Sequence, residues 1–516
     1  MRFGASLAMT AALLTLGAAG LHAQDSVPSG GRAWWDPGEG ASFPQRLDYD
    51  NPTGTLRLFN RDGAFETAGH AFFEPIGTNG RACVSCHQPA DGMSLSVRTI
   101  RERWQATGGT DPIFAAIDGA NCPSLPQAEE ASHSLLLQRG LFRIAMPWPP
   151  RNPFGEGAIE PEFDIEVVRD PATCNLDPQY GLASANPTVS VYRRPRVVGN
   201  LPYVAHTNFG VGPFVGKTGE PTLRDPATGL PTSMNLMADA RTATLATQAA
   251  DAGITHLELA TAMTPQQHAE IDRFEQQLFV AQAAHGTGGS LLLGEGGKAF
   301  GPENLAAGDV GVLGNNTTRW VFPVDPAWAT PQPGLTDEQN EMRASIFRGQ
   351  QIFHFRTFWI RDSMHLNTVG LGNPTKRTCA TCHGMHMTGL DTVNGWMDIG
   401  TTNLPWAREV PLNPWNDERE VMPLFKITCH DDVAPHPFLG RVIYTQDPGR
   451  ALVSGKCYDV GAIVMQQFRG LAARAPYFSN GSASDIDEIV DFYDRRYNIQ
   501  YTRQERTDLA NFLGSL

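Results

Sequence analysis

The chemistry of this chain gathers at two short segments that together hold four of its eight cysteines. Cys83-Val84-Ser85-Cys86-His87 and Cys379-Ala380-Thr381-Cys382-His383 share the order C-x-x-C-H. Two thiols at this spacing can each add to a vinyl group of a porphyrin, and the histidine that follows can reach the iron through an imidazole nitrogen. The pair of segments reads as two covalently bound c-type haems, with His87 and His383 as iron ligands. Two other chemistries use similar residues. A zinc site needs further Cys or His ligands at short spacing, and a thioredoxin-like pair does not require a histidine directly after the second cysteine.

The elements around these segments set the compartment. Residues 1–23 carry one charge, Arg2, ahead of a mostly apolar run, and end in Leu21-His22-Ala23, the pattern of a secretory signal with its cleavage site. The run is too short to span a bilayer, so the expectation is an exported, periplasmic protein and not an integral membrane one. Such a compartment permits disulfides. Cys122, Cys174, Cys429 and Cys457 allow three pairings; joining Cys122 to Cys174 and Cys429 to Cys457 keeps each bond within one half of the chain. A formal net charge of −14 disfavours nucleic acid and anionic membranes as partners and favours a small cationic redox protein.

Helix starts are legible. Thr264-Pro265-Gln266-Gln267 is a capping box with proline at the first helical position, and Ile271, Phe274 and Leu278 then follow as one buried face. Thr336-Asp337-Glu338-Gln339 opens a second helix with Met342, Ile346 and Phe353 inward. Thr502-Arg503-Gln504-Glu505 opens a terminal one with Leu509, Phe512 and Leu513 as its apolar stripe. Ser484 suits an N-cap, after which Ile486, Ile489, Val490 and Tyr493 share a face. Residues 90–185 carry no readable task, and residues 284–335, rich in Gly, Asn and Pro, read as a linker or covering loop.

Two stretches resemble the bacterial di-haem cytochrome c peroxidase and MauG family. The first is Met237-Ala238-Asp239-Ala240-Arg241 with Leu245, Gln248 and Ala249, preceded by Arg193-Arg194-Pro195. The second is Phe468-Arg469-Gly470-Leu471-Ala472-Ala473-Arg474-Ala475-Pro476-Tyr477-Phe478-Ser479-Asn480-Gly481 and the segment after it. The resemblance covers the two haem motifs and residues of about 190–282 and 336–516. It implies a mainly α fold of two cytochrome c-like haem domains with long irregular loops, at 24–283 and 336–516, and, as a further implication of the resemblance alone, a calcium ion.

Carried over ungapped, the resemblance places Glu258 as the acid above the peroxide-binding haem, with Gln248 as its hydrogen-bonding neighbour. A carboxylate there can carry a proton between the two peroxide oxygens; the alternative is a surface glutamate at a helix end. His256 reads as a distal base, a sixth iron ligand or a packing residue. Tyr493 falls on the position of the second axial ligand at the C-terminal haem, or is an ordinary core tyrosine. Arg469 pairs with a haem propionate or makes a structural ion pair. Met385, His386 and Met387 lie too near His383 to reach the opposite haem face and read as local packing. The family's inter-haem tryptophan aligns with Ala238 and its glycine with Ala240, leaving Tyr192 and Trp104 as substitute electron relays. The implied activity is reduction of hydrogen peroxide with electrons from a small redox protein. The alternatives are MauG-like or oxygenase-like oxidation of a larger organic or protein substrate, and a di-haem electron carrier without catalysis.

Overall fold

Three helices start where their capping boxes place them. Thr264, Thr336 and Thr502 accept hydrogen bonds from the backbone N–H of Gln267, Gln339 and Glu505, at the heads of helices Pro265–Gln277, Asp337–Phe355 and Arg503–Gly514. The computed structural model describes residues 32–152, 155, 157–207, 216–217, 220, 222–292, 300–307, 324–363, 372–383, 396–403 and 420–516. The export signal, Met385, His386, Met387 and parts of 284–335 lie outside the described residues.

The expectation of a mainly α protein is overturned. Among the described residues the helices are interleaved with six small sheets whose strand pairs are all antiparallel. Leu278 is the clearest local correction. It does not continue the helical face of Ile271 and Phe274, because the helix ends at Gln277 and Leu278 opens strand Leu278–His285. That strand is almost wholly buried, so its sequence shows none of the period-2 alternation that marks a half-exposed strand. It pairs with Gly54–Asn60, which pairs in turn with Arg46–Asn51.

Residues 90–185 contribute strands as well. Phe142–Pro147 pairs with Thr188–Arg193, and Phe163–Arg169 pairs with Leu424–Cys429, which also pairs with Val442–Thr445. The last sheet joins the two halves of the sequence around a core that includes Phe163, Phe425 and Ile427. Both disulfides take the pairing that keeps them within one half, Cys122–Cys174 and Cys429–Cys457, and the latter clasps this mixed unit.

Helix Ile486–Tyr497 begins one residue later than Ser484 suggests. Asp485 is the N-cap and accepts from the Glu488 N–H, while the Ser484 N–H and hydroxyl both donate to the Glu488 carboxylate. Its apolar face packs with Ile346, Phe353, Leu509, Phe512 and Leu513 in one core. Helices Asp337–Phe355 and Arg503–Gly514 cross at Gly349. A Cβ at that position would collide with the Asp508 carbonyl oxygen and with Phe512 Cβ.

Candidate functional site

Each C-x-x-C-H segment is a short 3-10 turn, Cys83–Ser85 or Cys379–Thr381, that places both thiols and the histidine along one cavity wall. The four cysteines are free thiols, unlike the other four, and burial raises Cys86 to about 12 and Cys379 to about 11, so both are neutral SH groups.

The first cavity, open at its mouth, holds Cys83, Cys86 and His87. Burial lowers His87 to about 4, which keeps the imidazole neutral. Its Nδ1 lies 3.2 Å from the Met93 carbonyl oxygen; donation there leaves Nε2 with a lone pair for a metal.

A further part of the lining comes from helix Leu245–His256. Gln248, Ala249, Ala252 and His256 share one face of it, and the two alanines leave room between the polar side chains. Gln248 and His256 are thus brought together with the first C-x-x-C-H segment. Glu258 is not. It sits past the helix end with φ 53°, its carbonyl accepts from Thr78, and its side chain is exposed, outside the cavity lining. The turn of the backbone at this residue carries its side chain away from that lining.

His256 is instead the anchored polar group. Its Nδ1 lies 2.5 Å from Asp118 Oδ2, and Asp118 is clamped by the fully buried Arg81, which also donates to the carbonyls of Pro112, Ile113 and His256. Burial alone would raise the Asp118 carboxyl; the Arg81 charge and the His256 contact outweigh it and hold the group below its ordinary range. Neither Asp118 nor Arg81 is evident from sequence, because both reach the site from segments whose spacing carries no motif.

The second cavity, about 750 Å³, is lined by Cys379, Cys382, His383, Ile489, Val490 and Tyr493 among others. Helix Ile486–Tyr497 therefore carries Tyr493 to the same space as the second C-x-x-C-H segment. Burial, then Tyr497, Cys379 and Cys382, pushes its phenol well above 10, so only a cation bound in the cavity would draw the proton off. His383 packs on Phe468 at 4.6 Å between ring centroids.

A third cavity joins the two. It shares His383 and Tyr493 with the second and Arg194, Pro195 and Gln466 with the first. Tyr192 and Trp104 line none of the three. Tyr192 donates to the Asn121 carbonyl and Trp104 packs on Phe114 and His133. Arg469 is fully buried and also outside these linings.

Arg193, Arg194, Arg196 and Arg241 line the first cavity and Arg194 and Arg474 the third; Arg193 and Arg241 are paired with Asp239, Asp447 and Asp251, whereas Arg194, Arg196 and Arg474, to which sequence reasoning gave no role, are not. Their hydrogen bonds go to backbone carbonyls: Arg194 to Arg139, Leu95 and Arg474, Arg196 to Val464 and Met465, Arg474 to Arg469 and Gln467. Burial lowers each to about 10. Buried guanidinium groups bonded to carbonyls fit a ligand with carboxylates. The thiol–thiol–imidazole donor set of each cavity, with these arginines at the first and at the third that adjoins the second, fits a haem in each of the first two.

Comparison with known proteins adds little. No family model and no curated protein matches the chain. Among solved structures, hydrazine synthase from Kuenenia stuttgartiensis is similar to it at a TM-score of 0.29 and 13% identity, over 63% of this chain and 73% of that one. A likeness of that size carries no statement about fold or function. No helix among the described residues is long and apolar enough to cross a membrane.

Proposed function

We propose that the chain is a di-haem oxidoreductase that reduces hydrogen peroxide in the first cavity, with electrons drawn through the second from a small redox protein. The observation that supports this most is the unequal dressing of two cavities with the same thiol–thiol–imidazole wall: an anchored His256 in the first, a half-buried Tyr493 in the second.

Cys83, Cys86 and His87 would hold one haem and Cys379, Cys382 and His383 the other, with Arg194, Arg196 and Arg474 meeting propionates. When bound, the haems supply redox-active iron. The remaining work belongs to side chains. Met93 fixes the His87 ring through Nδ1. Asp118 keeps the His256 proton on Nδ1, so that Nε2 faces the cavity as the base that takes a proton from one peroxide oxygen and returns it to the other. Gln248 offers an amide donor on the same helix face. Tyr493 closes the second cavity with a hard oxygen donor, which favours the oxidised state of a bound iron.

Peroxide turnover of the haem-loaded protein with a reduced cytochrome tests the reading. Steady oxidation of the cytochrome, lost in His256→Gln at unchanged haem content, is the expected result. A wild-type protein with both haems and no response to peroxide would remove it.

A further inference from the structure

Helix Pro265–Gln277 is the wall between the first cavity and the outside. Glu275 and Ile271 line the cavity, whereas His268 and Asp272, nearer the start of the helix, line a separate cleft open to solvent. His268, Asp272 and Glu275 stand at i, i+4 and i+7, so they run along one side of the helix over about 10 Å. Each has one buried polar atom, Nδ1, Oδ1 and Oε2 respectively, with no hydrogen-bond partner among the described residues. Glu275 is 3% exposed and Asp272 9%. Three such atoms in file, leading from solvent into a reaction cavity, are more than packing requires, because unpartnered buried polar atoms cost free energy.

We propose that His268, Asp272 and Glu275 are a proton entry route into the first cavity, with single water molecules bridging their unpartnered atoms. The proposal rests on the peroxide reading in one respect: reduction of one hydrogen peroxide to two waters consumes two electrons, from the redox partner, and two protons, for which this wall offers a way in. Glu275 gives its carboxyl proton to the cavity and becomes a carboxylate. Asp272 reprotonates it and is itself reprotonated from water in the cleft, where His268 stands. Burial and then Asp272 hold Glu275 well above the usual carboxylate range, and burial and then Asp225 raise Asp272 to about 6, so the inner group is the stronger proton holder. The other titratable groups that bear on the pair are Asp225 and the neutral thiol of Cys83, whose own proton Glu275 helps to retain.

Infrared spectroscopy of the haem-loaded protein near pH 7.5 tests the route without turnover. The wild type shows the carbonyl stretch of a buried protonated carboxyl group, and Glu275→Gln removes it. On rapid mixing with D2O the band shifts. In Asp272→Asn the shift is at least tenfold slower, and in Asp272→Glu, which keeps a carboxyl group at the same place, it is again fast. No protonated-carboxyl band in the wild type, or an equally fast shift in Asp272→Asn, overturns the proposal. Peroxide turnover measured on the same samples is a separate readout. Its absence in the wild type would remove the peroxide reading, while the exchange rates would still decide whether the route exists.

Discussion

His256 is held where a base is useful by a residue that contributes nothing else to the cavity. Asp118 lies outside the lining, and its contact with His256 Nδ1 fixes which imidazole nitrogen faces inward. Replacing His256 with glutamine is expected to lower kcat/KM for peroxide by about 10²–10⁴-fold, the usual weight of a positioned acid–base group, with the haem content unchanged. Asp118→Asn acts on stability as well, because it leaves Arg81 fully buried without its counter-charge, a loss of about 3–5 kcal/mol. The Asp118 carboxyl is held below its unfolded value, so its contribution is present above about pH 4 and is lost as pH falls through the lower folded value. Denaturant midpoints of wild type and Asp118→Asn should therefore differ at pH 7, and the difference should shrink as pH falls below about 4. In the second cavity, Tyr493→Phe removes the oxygen donor. A change in the absorption bands of one of two haems is the expected outcome, and identical spectra would remove Tyr493 as a ligand.

At the scale of elements, local signals and long-range ones parted company. Capping boxes at Thr264, Thr336 and Thr502 are written within four residues, and all three helices begin there. The face bearing Ile489, Val490 and Tyr493 was legible from its period for the same reason. Strands Phe163–Arg169 and Leu424–Cys429 were not, since each is stabilised by a partner from the other half of the chain, and Leu278–His285 is buried on both faces and shows no alternation. The polar residues around the first cavity follow this division. Gln248 and His256 stand on a helix whose sequence resembles a known one, whereas Asp118, Arg81 and Glu275 arrive by tertiary packing. Gly349 is the element-scale weak point, because two helices touch there with no space for a methyl group. Gly349→Ala is expected to cost about 1–3 kcal/mol or more, read as a fall in thermal midpoint.

For the molecule as a whole, the antiparallel sheet of residues 163–169, 424–429 and 442–445 ties the two halves together, and the Cys429–Cys457 disulfide lies in its core. Its sequence separation of 28 residues corresponds to about 3–4 kcal/mol of unfolded-chain entropy, so the double variant Cys429→Ala with Cys457→Ala should lose about 2–4 kcal/mol by denaturant titration. The continuous lining through Arg194, Pro195 and Gln466 gives the two cavities a shared wall without an aromatic ring at Ala238. All of this chemistry depends on two porphyrins being tethered to one chain. The intact mass of the purified protein under denaturing conditions measures that directly. The account predicts the polypeptide plus two haems, falling to one when Cys83 and Cys86, or Cys379 and Cys382, are both changed to alanine. A wild-type chain carrying one haem or none would contradict it.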